Sequence, residues 1–162
     1  VHLLSFETAN PRWLRDRSDV RLAQLVAGSG APADCVAAGD PTTYDDLIAP
    51  AGLRAVSRYA DVLILAKDRL VPDVAARPPA RDPHLVVEDA QVAGLKVLAY
   101  TLRNENRFLA PAFRTSSEPD AFGDVLGETR AILDLGVDGV FSDHPDTSVL
   151  AREIWLSMAH SR

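Results

Sequence analysis

Two cations stand directly after apolar runs. Lys67 follows Val62-Leu63-Ile64-Leu65-Ala66, and Arg103 closes the segment that begins Val97-Leu98-Ala99-Tyr100-Thr101. A cation at a strand end can pair with a phosphate or with a developing oxyanion through charge-assisted hydrogen bonds. The plainer reading of both is solvated loop charge. Phe6 and Tyr100 also fall at the ends of apolar segments. There they could wall a pocket for a glycerol or alcohol moiety, with core packing as the alternative. Glu7 suits either a substrate hydroxyl or the N-terminus of the helix that follows it. Asp143, His144 and Asp146 cluster near the C-terminus. Asp and His are metal ligands, but Asp143 fits better as a loop-ordering residue and Asp146 as a helix cap. His2, His84 and His160 have no partner spacing, and Cys35 is the single cysteine, so no intrachain disulfide can form.

These side chains need a scaffold, and the composition supplies one. Of 162 residues, 47% are hydrophobic and 25% charged, ordinary values for one globular domain with a core. A net charge of −6 argues against non-specific nucleic-acid binding, while leaving room for a local basic pocket. No apolar run reaches the ~20 residues needed to span a bilayer. Val1-His2-Leu3-Leu4-Ser5 has no signal-peptide pattern, which reads as cytoplasmic for the chain as it stands.

Strand-like runs fall at Val1 to Ser5, Arg21 to Val26, Val62 to Ala66, Val97 to Thr101 and Gly139 to Ser142. Between them the sequence predicts helices through Trp13 and Leu14 (capped by Asn10, with Pro11 at the first position), over 43–48, 51–59, 84–93 and 120–135, and a last one after Asp146 or Thr147. In the 120–135 helix Phe122, Val125, Leu126, Ile132 and Leu133 form the apolar stripe. Gly94 and Gly136 stand where helices should stop before a strand. Strict β/α alternation implies a parallel sheet with crossover helices. Segments after strands are long, notably 28–43, 67–83 and 102–119, and segments after helices are short. That asymmetry predicts an incomplete (β/α)8 TIM barrel, about the last five βα units, because barrel sites are built from βα loops. The runner-up is an open, doubly wound parallel α/β sheet, weakened by the absence of any G-x-G-x-x-G after a strand. Leu4, Leu25, Ile64, Leu98 and Phe141 are the expected inward side chains, partly uncovered in five strands.

Several segments in order resemble the glycerophosphodiester phosphodiesterase family. Leu4-Ser5-Phe6-Glu7 is similar to its Q-S-F-[DE] strand end. Leu22-Ala23-Gln24-Leu25-Val26 resembles the next strand, and Pro50-Ala51-Gly52-Leu53 through Tyr59-Ala60-Asp61 resembles its P-[GA]-x-[LM]…Y-A-D helix and strand entry. Val87 to Val97 resembles a [VI]-x-D-A-x-x-A-G-L-x-V unit, and Tyr100-Thr101-Leu102-Arg103 a Y-T-[FV]-R segment. Gly136 to Asp146 resembles the closing G-V-D-G-[ILV]-F-[ST]-D-x-P-D, with His144 at the x.

The resemblance implies hydrolysis of glycerophosphodiesters to an alcohol and glycerol 3-phosphate, in lipid and glycerol metabolism, with a divalent Ca or Mg ion in the intact enzyme. It favours Phe6, Lys67, Tyr100 and Arg103 as substrate-binding candidates. It also implies that the H-R histidine, the E-x-D pair, the second histidine and the E-x-K glutamate lie on the first three strands. Neither H-R nor E-x-K occurs here, and the one E-x-D string, Glu118-Pro119-Asp120, reads as helix-start chemistry. The expectation is therefore that residues 1–162 form the C-terminal part of the barrel domain, with its N-terminal strands before Val1. Alone, the chain should bind no metal and be inactive. Family members are often exported, which leaves the compartment open. The alternative is a non-catalytic remnant or assembly module that self-associates through exposed barrel edges.

Overall fold

A computed structural model describes residues 1–73 and 79–159. The strands are β1 (His2–Ser5), β2 (Arg21–Val26), β3 (Val62–Ala66), β4 (Lys96–Leu102) and β5 (Gly139–Ser142). All neighbours are parallel, and the sheet order is β1-β2-β3-β4-β5. The helices are α1 (Ala9–Arg15), α2 (Ala33–Ala38), α3 (Tyr44–Leu47), α4 (Pro50–Val56), α5 (Pro83–Val92), α6 (Val125–Asp134) and α7 (Pro145–Ala159). A doubly wound sheet reverses its strand order at a switch point. This order never reverses, which sets aside the runner-up.

The two faces of the sheet agree. Side chains paired in parallel register share a face, and alternate residues point to opposite faces. Val26, Leu63, Leu65, Val97 and Ala99 pack with Leu53 and Val56 of α4, Val86, Val87 and Ala90 of α5, and Ile132 and Leu133 of α6. The other face gathers Ala23, Leu25, Val62, Ile64, Leu98 and Tyr100, all strand residues. Helices thus cover the outer face alone, and the sheet is five consecutive βα units curled into a half-barrel. Each large apolar side chain fully buried there, such as Leu63 or Ile132, contributes about 1.5–3 kcal/mol.

Inward packing is graded across the sheet. Leu25, Ile64 and Leu98 align in register, and Ile64 between its neighbours is 1% exposed. The edge residues Leu4 and Phe141 are 43% and 41% exposed. The expectation of partly uncovered core thus holds at the edges and for the half-buried Leu25 and Leu98, and fails at Ile64, where curvature brings neighbouring strands over the side chain.

At the N-terminal rim of the sheet a motif recurs. Asp61, one residue before β3, accepts from Leu22 N at 2.8 Å and from Arg15 Nη2 at 2.8 Å. Asp138, one residue before β5, accepts from Val97 N at 2.9 Å and from Lys96 Nζ at 2.7 Å. Each aspartate clasps the start of the preceding strand. Gly94 and Gly136 end α5 and α6 with φ of 91° and 86°, the left-handed conformation that lets the chain turn into the next strand.

Several sequence expectations are corrected. The helix expected from 120 begins at Val125, because Asp124 caps it by accepting from Gly127 N at 2.9 Å. Residues 104–124 form a folded loop instead. Buried Asn106 organises it, accepting from Thr115 N and donating to Ser116 Oγ and Glu118 O, all at 3.0 Å. Phe122, counted in the apolar stripe, is 63% exposed. The segment 28–43 is not a plain loop, since it contains α2. Finally, neither Asn10 nor Glu7 caps α1. Asp34 of α2 takes the backbone N–H groups of Thr8 (2.9 Å) and Ala9 (2.7 Å), and Glu7 binds the Asn10 side chain at 2.8 Å. Likewise α7 starts at Pro145, so Asp146 and Thr147 lie inside its first turn.

Candidate functional site

The C-terminal ends of the strands carry the chemistry, as in barrels generally. A cleft of about 690 Å³ opens over β3 and β4, lined by Gly28, Lys67, Arg69, Tyr100, Arg103 and Arg114 among others. It extends outward to Ile48 and Val86 in the helix layer. Residues 74–78 of the Pro- and Arg-rich loop, and His160, lie outside the described residues.

Arg103 lines the cleft. Its Nε donates to Asp143 Oδ2 at 2.5 Å, and its guanidinium lies 4.5 Å from the Phe108 ring centroid. Asp143 thus orders the end of β5 through a specific partner. The guanidinium lies over an aromatic face, an arrangement that orients arginine without consuming its terminal nitrogens.

Lys67 also lines the cleft, but it is 6% exposed and its ammonium is engaged. Nζ donates to both carboxylate oxygens of Glu128, at 2.7 and 2.8 Å, and Glu128 is completely buried. Glu128 Oε1 also accepts from Ala110 N at 2.7 Å. The pair therefore ties the end of β3 to α6 and to the 104–124 loop. Sequence reading missed Glu128. Its signal was a carboxylate on the buried stripe of α6, in line with Val125, Thr129 and Ile132.

Phe6 and Tyr100 meet directly, edge to face, with centroids 6.0 Å apart. A third ring completes the corner, since Tyr44 lies 6.5 Å from Phe6 and its hydroxyl donates to Phe6 O at 3.4 Å. Tyr100 donates to Val26 O at 3.2 Å. Burial pushes its hydroxyl up to about 12, with Tyr44 adding to the shift and Arg69 opposing it. It is therefore a neutral donor near pH 7, not a base. Phe6 stands outside the cleft and faces an apolar groove along β1 and α1. Gln24, a polar residue in the middle of β2, is fully buried. It donates to Phe6 O at 3.1 Å and Ser5 O at 3.2 Å, and accepts from Tyr59 at 2.9 Å, fixing this corner.

The remaining candidates are dispersed. His144 Nε2 lies 3.5 Å from Glu105 Oε2, and its ring sits edge-on to Phe122. Asp120 pairs with Arg107 at 2.6 Å, so the Glu118-Pro119-Asp120 string serves the loop and opens no helix. Cys35 is buried, 3.9 Å from Thr8 Oγ1, and His2 and His84 sit on β1 and α5. Among the described residues no three His, Cys, Asp or Glu side chains converge to hold a metal ion, and no helix is long and apolar enough to cross a membrane.

A search of the curated proteins found no match. The family model for the glycerophosphoryl diester phosphodiesterases matches residues 2–147. Because that match runs from the first residue of β1 into the first turn of α7, and so takes in every strand and every loop of the cleft, the chain belongs to the glycerophosphoryl diester phosphodiesterase family.

Proposed function

We propose that this chain supplies the substrate-contacting and closing part of a barrel that hydrolyses glycerophosphodiesters. The observation that carries the reading is Arg103, at the mouth of a family-matched barrel. Its Nε is committed to Asp143, its face to Phe108, and it has no other hydrogen bond to a described residue. A guanidinium so oriented offers its two terminal nitrogens to phosphate oxygens, and Tyr100, with Phe6 packed behind it, offers an apolar flank to the glycerol or alcohol.

The family's divalent ion would polarise the phosphoryl oxygen and activate a nucleophile. The described residues do not fit it, because they bring no three ligating side chains together. No step is assigned through it here. We propose that the ion's carboxylates and the acid/base histidines stand on three further βα units that precede β1 in a complete barrel. The chain alone would then release no glycerol 3-phosphate from glycerophosphocholine with Ca²⁺ or Mg²⁺. Turnover by the purified 162-residue chain, free of host phosphodiesterase, would refute this division of labour.

A second reading, a self-associating module, is favoured by one observation. Along the β1 edge Leu3, Leu4, Phe6 and Trp13 are 44%, 43%, 41% and 59% exposed and line one groove. A second copy of the chain is the occupant proposed for it.

A further inference from the structure

Three consecutive residues at the exit of β4 face the junction of β5 and α7. Arg103 Nε donates to Asp143 Oδ2 at 2.5 Å, and Asn104 Nδ2 donates to Thr147 Oγ1 at 2.9 Å. The third partnership is unfinished. Glu105 Oε2 lies 3.5 Å from His144 Nε2, whereas a charge-assisted bond closes to about 2.7–2.9 Å. That oxygen is shielded from water and has no hydrogen-bond partner among the described residues. A buried polar atom left so is a costly exception in folded proteins.

His144 sits where the 104–124 loop closes on itself. Glu105 and Phe122 form an isolated antiparallel bridge, flanked by Asn106 N donating to Ala121 O at 2.8 Å and Gly123 N to Asn104 O at 2.9 Å. The imidazole meets both sides of this neck, Glu105 through Nε2 and Phe122 edge-on with ring centroids 5.9 Å apart. Its own backbone is fixed, since His144 N donates to Ser142 Oγ at 3.0 Å and His144 O accepts from Ser148 N at 3.1 Å. Beyond the neck, Arg107, Phe108 and Arg114 of the loop line the cleft.

Most other charges on the surrounding elements are engaged. Arg103 is held by Asp143 and Arg107 by Asp120, and Asp124 caps α6. Asp146 is exposed in the first turn of α7. The positive end of α7 opposes a cation at His144, while the Glu105 and Asp146 carboxylates favour one. Histidine is the side chain that ordinarily changes charge between pH 5 and 8, a range over which glutamate stays largely ionised.

We infer that His144 is a pH-responsive staple on the neck of the 104–124 loop, closing on Glu105 when its imidazole is protonated. As pH falls, the imidazolium donates to the unpartnered oxygen and draws the two sides of the neck together. As pH rises, the proton leaves and the contact relaxes. The loop wall of the cleft is thus firmer in mild acid, while the strands are unaffected. The staple itself rests on geometry; that it governs a substrate site rests on the reading proposed above.

The test follows hydrogen–deuterium exchange of the 162-residue chain by mass spectrometry between pH 8 and 5.5, expressed as protection factors so that the intrinsic pH dependence is removed. Peptides spanning 104–124 should gain protection by about twofold to fivefold as pH falls, the range of a partly exposed ion pair. Peptides spanning β3, or holding His2 or His84, should not move. Glu105→Gln and His144→Gln should each abolish the slope. A parent loop with flat protection overturns the inference, as does a slope shared with β3 or one that survives in either folded variant. Should a variant fail to fold, the parent decides alone, by whether its slope exists and is confined to the loop. Turnover is not read here. An inactive completed barrel that keeps the slope would sink only the phosphodiesterase reading, and an active one without it only this inference.

Discussion

Glu128, sealed beneath the 104–124 loop, grips the ammonium of Lys67 with both carboxylate oxygens and holds Ala110 N with one of them. Breaking a buried pair strands a charge and costs about 3–5 kcal/mol. Lys67→Met and Glu128→Gln should each destabilise by that order in urea denaturation. Lys67→Met combined with Glu128→Leu should recover much of it. It should remain about 1–3 kcal/mol short of the parent, because Ala110 N loses its acceptor. Single variants as stable as the parent would mean that the pair is loosely held.

Arg103 is expected to behave differently, acting on substrate more than on stability. In a barrel completed with the first three βα units of a relative, Arg103→Ala should lower kcat/KM by about tenfold to a hundredfold. That corresponds to about 1.5–3 kcal/mol for a charge-assisted contact in the transition state. An unchanged kcat/KM would reduce Arg103 to a loop charge paired with Asp143.

Acid should loosen the N-terminal rim of the sheet. Burial pulls the Asp61 carboxyl upward, but Leu22 N–H and Arg15 outweigh it, and its pKa lies below the usual value. At Asp138 burial is outweighed by Lys96, Val97 N–H and Gln91, with the same net direction. The unfolded chain therefore takes up these protons first as pH falls. The stabilisation is present above about pH 3.9 and is lost as pH drops through the lower folded values. Urea midpoints should hold between pH 7 and 5 and fall below about pH 4. Asp61→Asn with Asp138→Asn should lower the neutral midpoint and flatten the acid limb, and an unaltered limb would clear both residues of the role.

The two sheet edges set the fourth expectation. β1 and β5 each have one strand neighbour, and Leu4 and Phe141 on their inner faces are substantially exposed. Unpaired edges beside apolar surface favour association. Sedimentation velocity at micromolar concentration should show concentration-dependent oligomers, with hydrophobic dye bound. A single monomer with a cooperative melt and no dye binding would show that the curl of five strands suffices.

How much could be read in advance follows from how local each signal is. β3 is a continuous apolar run, and Gly94 and Gly136 mark left-handed stops, so strands and helix ends were legible from neighbours in sequence. The direction of winding was not. Alternating apolar runs serve a barrel and an open sheet equally, and only the unbroken strand order separates them. Arg103 and Tyr100, singled out by their place at a strand end, do line the cleft. Lys67 was found too, but not its engagement, because Glu128 lies sixty-one residues away. Asp34 capping α1 from twenty-five residues downstream was equally out of reach.

The aspartate clasps at Asp61 and Asp138 also define a unit of exchange. Each is written just ahead of one strand yet closes on the strand before it. A recombination joint placed between a helix and its following aspartate carries the clasp with the incoming strand, so any donor whose preceding strand opens with a free N–H will accept it. A joint placed after the aspartate keeps the clasp with the strand it already closes on. Lineages that reshuffle βα units should therefore break downstream of this residue, leaving the mouth loops free to diverge while each rim contact stays with its own strand.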